Sequence, residues 1–490
     1  PNSGLRRLCD ERYILAAMPF AKDLITKLLM AILWLSCRMY FYPLMKLMGY
    51  RRYEVRPNSV IVSCCTNGLG HVHQMERVLS VLQQEGIEFP VIVLAKEKKV
   101  PAYKLASLRE RFPGTKLVNL DFEVDYDNGK SFKNSAIALN ALKTGVLKST
   151  PAMRTFNKLL KRHRPAVLLS FWEPATVTFL NVCNSPTQRV TIASQGQIYN
   201  DPRSNERKSI LMQGLHEFCV GRQGTLVPLS VLPMAGAVPQ IVKVPPPRKS
   251  EDFFVAYTTV PQVLSPIKKR FRDHRVKLFV KEKRLAYYVR KYKKYPNVEV
   301  LAASPQFADD LSRSRGLIAS PSRGVVTQAI ALGKPVYLFC PRGHIEQEYN
   351  LRFYLRNFAG VACPTSRRYR RVLRASRKKG LHADWAGKMQ TLKEWEASLP
   401  SLDLKAQAAR LSEWLEQTDE RILKLLVPKL RPLAGSAVKA VGHAGEVKLD
   451  ESLGGEVEEV SGDLASGKQE DDGEEEGDAD DDEDDEGKEE

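Results

Sequence analysis

Two stretches of this chain carry side chains whose types and spacing suit chemistry, and they lie in opposite halves of the sequence. The first is Asn67-Gly68-Leu69-Gly70-His71, a glycine-rich turn that ends on an imidazole. The second runs from Gly316 to Asn350 and holds Ser322-Arg323-Gly324, then Gln328, then Glu346-Gln347. A helix start beside a strand end, with acidic and amide side chains close by, suits a nucleotide diphosphate. Taken alone, the histidine reads first as a helix-cap or hydrogen-bonding residue.

The elements that must position these groups are legible as apolar runs. Val60-Ile61-Val62-Ser63 reads as a strand before the first turn. After it Val72, Met75, Val78, Leu79 and Leu82 recur at helical spacing up to Gly86. This is a strand, a glycine-rich turn and a helix, but not the dinucleotide fingerprint, because a third glycine is missing. In the second stretch Gly316 to Ser320 is a buried strand, and Gly324 opens a helix whose apolar face is Val325, Val326, Ala329, Ile330 and Leu332. Gly333-Lys334-Pro335 stops that helix, and Val336 to Phe339 returns to the sheet. Further strands are expected at 91–94, 116–118, 166–170, 253–257, 276–280 and 298–301, with helices at 100–112, 135–148 and 153–162 between them. A proline-rich linker, Val244-Pro245-Pro246-Pro247, separates two such alternating units. The expected fold class is therefore α/β, two doubly wound Rossmann-like domains facing across a cleft. The expected boundaries are a hydrophobic segment 1–56, a first domain 57–243, a second domain 244–366, a basic helical extension 367–432 that crosses back to brace the first domain, and an acidic tail 433–490.

The second stretch resembles the donor-binding half of GT-B glycosyltransferases: the UDP-glycosyltransferases, the bacterial peptidoglycan N-acetylglucosaminyltransferase and the plant galactolipid synthases. It is most similar to prokaryotic members with a glycine-lysine-proline stop and a GQxEQxxNA-like loop, here Gly343-His344-Ile345-Glu346-Gln347-Glu348-Tyr349-Asn350. The likeness spans roughly residues 58–362. It implies that His71 faces the interdomain cleft as the base that deprotonates the acceptor. It also implies that Glu346 and Gln347 contact the sugar or its diphosphate. Amides near Ser322, Arg323 and Gly324, assisted by the Arg323 guanidinium, would meet the leaving charge, and Thr258 and Thr259 would add hydroxyl donors.

Two departures from the family pattern bear on these roles. Many relatives bind both ribose hydroxyls with a glutamate where this chain has Gln328, so charge assistance is lost. Relatives also carry Asp-Phe-Glu-Pro where this chain reads Phe171-Trp172-Glu173-Pro174, and later Ser194-Gln195-Gly196-Gln197 in place of an Asn-Gln-His. If the family aspartate polarises the histidine, Glu173 is the substitute; the competing reading, and the preferred one, makes Glu173 a helix cap before Pro174.

Charge is uneven along the 490 residues. Of 75 Lys+Arg and 57 Asp+Glu, the last 45 residues hold 3 and 23, a net charge of −20 against +38 for the body. Such a tail is expected to be disordered. Basic runs with interleaved tyrosines at 268–294 and 367–379 suit an anionic membrane surface better than RNA, because no nucleic-acid module frames them. The first 56 residues are apolar and aromatic but broken by charges. They read as helices in the membrane interface rather than a span, although a span over 28–48 stays open. The sequence opens at Pro1 without a methionine, which reads as a fragment or a processed form.

Eight cysteines (Cys9, Cys37, Cys64, Cys65, Cys183, Cys219, Cys340, Cys363) show no zinc or disulfide spacing. The expected setting is membrane-associated, with the site facing a reducing compartment, cytoplasm or organelle stroma. Asp125-Tyr126-Asp127 is an Asp-x-Asp string of a metal-dependent type, but it lies away from both signatures, so no metal is expected. No cofactor is expected either, the nucleotide-sugar being a co-substrate. The function expected is metal-free transfer of a hexose from a nucleotide-sugar, UDP-linked by resemblance, to an acceptor hydroxyl, with a lipid as the acceptor suggested by the amino terminus. A nucleotide-sugar epimerase and a non-catalytic membrane or RNA scaffold are the alternatives.

Overall fold

The computed structural model describes residues 35–431 apart from 36–37, 40–41, 67–68, 123–149, 205, 207–208, 222, 258–266, 268–270, 342–343, 367–368 and 371–386. The acidic tail, Asp125–Asp127, Asn67, Gly68, Thr258, Thr259, the expected helix at 135–148 and most of the hydrophobic first segment lie outside the described residues.

Thirteen strands among the described residues form two wholly parallel sheets. The first has seven strands in the order β3-β2-β1-β4-β5-β6-β7. These are β1 Arg56–Cys64, β2 Val91–Leu94, β3 Lys116–Asn119, β4 Pro165–Phe171, β5 Gln188–Ala193, β6 Thr225–Ser230 and β7 Val238–Pro239. The second has six in the order β10-β9-β8-β11-β12-β13. These are β8 Phe254–Tyr257, β9 Val276–Val280, β10 Val298–Ala302, β11 Gly316–Ala319, β12 Val336–Leu338 and β13 Val361–Ala362. Strands such as β2 and β4 are buried at every residue, because helices cover both faces of a parallel sheet. That is why they read as unbroken apolar runs.

In each sheet the strand order reverses once, between β1 and β4 and between β8 and β11. Helices leave a reversal on opposite faces and open a crevice at the carboxyl ends of the strands. The helix after β1, α1 (Leu69–Gln84), starts at one such crevice. It buries Val72, Met75, Val78, Leu79 and Leu82, and ends where Gly86 takes φ +71°. There Ile87 N–H reaches back to the Leu82 carbonyl and Gly86 N–H to that of Gln83, a paired closure that needs a left-handed residue. The glycine-lysine-proline stop works identically. Gly333 at φ +68° lets its own N–H meet the Ile330 carbonyl while Lys334 N–H meets that of Ala329.

Two late helices join the sheets. We call the intervening ones α2 (Pro174–Val182), α3 (Arg323–Ala331) and α4 (Ile345–Asn357). Then α5 (Leu404–Glu416) packs Leu411 and Trp414 into the core around the second sheet, and α6 (Thr418–Leu430) packs Ile422, Leu426 and Leu430 into the first. Burying each of those aliphatic side chains contributes about 1.5–3 kcal/mol. Trp414 donates its indole N–H to the Ser230 carbonyl at 3.0 Å and stacks under Arg421, whose guanidinium carbon is 4.4 Å from the ring. A brace from the basic extension back to the first domain is thus present.

Among the described residues no helix is long and apolar enough to cross a membrane.

Candidate active site

His71 sits in the first turn of α1, half-buried, and the position a Cβ would take on neighbouring Gly70 is open. One turn further on, Gln74 is buried and donates to Ser194 Oγ at 3.1 Å; Ser194 Oγ in turn donates to Gln240 Oε1 at 3.1 Å. Ser194 follows β5, so this relay ties the histidine's helix to the segment that meets the second domain.

From the second domain, α3 presents its amino terminus to the same segment. Ser322 is the N-cap residue by backbone shape (φ −79°, ψ 142°), yet its side chain makes no cap bond, and its buried Oγ has no hydrogen-bond partner among the described residues. Gly324 is exposed, with nothing within 4 Å of where a Cβ would stand. A helix start with open N–H groups and no capping side chain leaves its donors and its positive dipole end for a ligand. Glu346, in the first turn of α4, accepts from Gln195 Nε2 at 3.0 Å across the junction, and the Oε1 atoms of Gln195 and Gln347 are buried without partners. Hydroxyl groups can supply the donors those two amide oxygens lack.

Arg323 departs from its expected role. It is 5% exposed, and its guanidinium crosses to the first domain: Nη1 donates to the Ser194 carbonyl and to Gln197 Oε1 at 3.0 Å, while Nε donates to Asn350 Oδ1 at 3.0 Å. Only Nη2, buried and without a partner among the described residues, is left for a ligand. Its main bonding therefore holds two domains together rather than a diphosphate.

The junction continues along α4. Tyr349 donates to Asp201 at 2.8 Å, Arg356 pairs with the same carboxylate at 3.2 Å, and Arg352 pairs with Glu206. Burial, ahead of the neighbouring charges, pushes the Tyr349 phenol far above its ordinary range, so it remains a donor. None of these residues was expected at a site. A signal existed: Tyr349, Arg352 and Arg356 share one helical face, at i, i+3 and i+7. Their partners, in an irregular stretch after β5, follow no period.

Two further residues singled out by the sequence have partners within the protein. Glu173 is 1% exposed, and its carboxylate accepts from the N–H groups of Ala175 (2.9 Å) and Thr176 (2.7 Å). It caps α2, as the preferred reading expects. Gln328 donates its Nε2 to the Lys243 carbonyl, just before the linker, at 2.5 Å; that bond uses the amide's donor and not its acceptor oxygen. Among the described residues no group of three or more His, Cys, Asp or Glu is arranged to hold a metal.

Replacing Glu173 with alanine should lower stability by about 1–2 kcal/mol, since two amides lose their acceptor. The turnover of the folded fraction should stay the same. Denaturant titration alongside activity per folded molecule checks this, and a large loss of turnover at unchanged stability would restore a catalytic role.

No family model matches this chain, and no curated protein sequence does. Solved structures do. UGT71G1 of Medicago truncatula, complexed with UDP-glucose, superposes with a TM-score of 0.50 at 12% identity, covering 76% of this chain and 98% of that one. The fold is that of the GT-B glycosyltransferases. The spinosyn rhamnosyltransferase SpnG, complexed with spinosyn aglycone, is also similar, at TM-score 0.47 and 14% identity over 76% of this chain and 99% of that one.

Proposed function

We propose that this chain transfers a hexose from a nucleotide-sugar, a UDP-sugar in the first instance, to an acceptor hydroxyl carried by a lipid, without a metal. The observation that carries the reading is the uncapped start of α3, with Gly324 open in front of it, at the strand reversal of the second sheet. His71 lies at the corresponding reversal of the first. In the reaction the acceptor oxygen forms a bond to the anomeric carbon as the bond from that carbon to the diphosphate oxygen breaks. His71 takes the hydroxyl proton, and the open amides of α3 receive the negative charge of the departing diphosphate. Glu346 and Gln347 orient the sugar hydroxyls. An epimerase would need several carboxylates at the seam, but Asp201 and Glu206 are paired with arginines.

Gly324→Asp separates binding from folding. Its position is open, its φ is outside the left-handed region, and an acidic side chain in a first helical turn is tolerated or mildly stabilising. Calorimetric titration with UDP should show binding to the native chain and at least roughly tenfold weaker binding to the variant, with an unchanged melting temperature. Equal UDP affinity in both, or no binding of any nucleoside diphosphate to the native chain, sinks the reading.

A further inference from the structure

We propose that the outward face of the described helical residues between 35 and 47, with the basic rim beside it, is the surface on which this chain rests against an anionic bilayer. This specifies the membrane partner that a lipid acceptor requires and rests on that reading, but it stands on separate observations. Leu35, Arg38, Met39 and residues 42–47 are helical. The inward side is fixed to the first domain: Met45 is fully buried, and Leu44 and Met48 pack with it on Phe156, Leu160 and Phe179. Asn157 donates to the Met48 carbonyl at 3.2 Å, and Tyr50 meets Phe179 edge-on at 5.9 Å. A helix so anchored should turn a polar side outward. This one does not. Leu35 is 55% exposed, Met39 69% and Leu47 85%, with Tyr42 at 38%. Half of the eight exposed large hydrophobics among the described residues fall within these thirteen positions, so the apolar surface is concentrated, which marks an interaction site. Leu35, Met39 and Tyr42, at i, i+4 and i+7, share one face.

The surroundings choose the partner. Arg38, Lys46, Arg51 and Arg52 flank the row, and Arg154, Lys158, Lys161, Arg162 and Arg164 lie on or just after the helix packed beside it. Residues 35–53 and 150–164 contain these nine bases and no Asp or Glu. Aliphatic side chains ringed by cations match acyl chains beneath anionic headgroups. RNA would call for exposed aromatic platforms, and among the described residues of this segment Tyr42 alone supplies one. A second copy would bring one basic rim against another. Because Leu44, Met45 and Met48 hold the opposite side of the helix against the first domain, the exposed side meets the bilayer in the plane of the interface.

The test is co-sedimentation of the full chain with vesicles of phosphatidylcholine alone or mixed with phosphatidylglycerol. Binding is expected to the mixed vesicles and to be at least tenfold weaker to the neutral ones. The double variant Met39→Glu/Leu47→Glu should lose at least tenfold, and Lys158→Glu/Lys161→Glu a similar factor, both keeping the native melting curve because the four side chains are exposed. Indifference to lipid charge, or unaltered binding by Met39→Glu/Leu47→Glu, overturns the proposal. So does displacement of the chain from vesicles by RNA at equal phosphate, or a native dimer that the Met39→Glu/Leu47→Glu variant dissolves. UDP affinity is read separately. A chain that binds vesicles but no nucleotide keeps this surface and loses the transferase reading.

Discussion

Replacing His71 with alanine is expected to lower the rate constant for sugar transfer by roughly 10²- to 10⁴-fold, the usual worth of a positioned base. The fold should survive, because His71 lies half-buried in the first turn of α1 and alanine favours a helix. Donor affinity should hardly change, since the groups assigned to the diphosphate and sugar belong to α3 and α4 on the other domain. The kinetic signature is therefore a fall in kcat with little change in the KM for the donor, as for a group whose effect is confined to the transition state. Initial rates over a range of donor and acceptor concentrations would show it. Two results would remove the assignment: a native kcat, or a KM for the donor that rises with kcat intact. His73 is the control. It is exposed, two residues further along α1, and its alanine variant should transfer sugar at the native rate.

The architecture was legible because burial leaves a signature in composition. Val91-Ile92-Val93-Leu94 was read as a strand at the bounds the structure gives, since a strand covered on both faces has no polar position to blur its ends, and Val276 to Val280 was read at its bounds around the half-buried Lys277. Gly333-Lys334-Pro335 was read as a helix stop because a left-handed residue is needed there and a proline cannot continue the helix. The strands β5 and β6 were not drawn from the pattern. Thr191, Arg189 and Pro228 interrupt their apolar runs, and only neighbouring strands supply the context that buries them. The candidate site was legible as two helix starts and the Glu346-Gln347 pair. Which polar side chains would meet across the junction depends on how two domains dock, and no local period encodes that. Arg323 shows the limit. Next to a glycine at a helix start it reads as a phosphate ligand, while the fold sends its guanidinium into the seam. Glu173 shows the converse: Pro174 after it was a local signal for a cap, and local geometry decided the outcome.

The seam itself supplies the largest stability prediction. Arg323→Ala should cost about 2–4 kcal/mol, because three buried neutral acceptors each lose a charged donor. The Ser194 carbonyl, Gln197 Oε1 and Asn350 Oδ1 would each lose a donor inside a closed junction, where water enters at a cost. Tyr349, whose ring lies 5.7 Å from the guanidinium carbon, would lose its cation contact as well. Arg323→Lys should recover little, because an ammonium is one compact donor group and cannot serve acceptors spread around a planar fork. Denaturant titration of the three chains gives the numbers. Domain docking and donor binding should fall together, since the residue that crosses to Ser194 also opens the helix whose amides are proposed to receive the diphosphate. If Arg323 were chiefly a diphosphate ligand, its alanine variant would keep the native denaturation midpoint and lose only UDP affinity. That pattern would return the residue to the role its sequence context suggests.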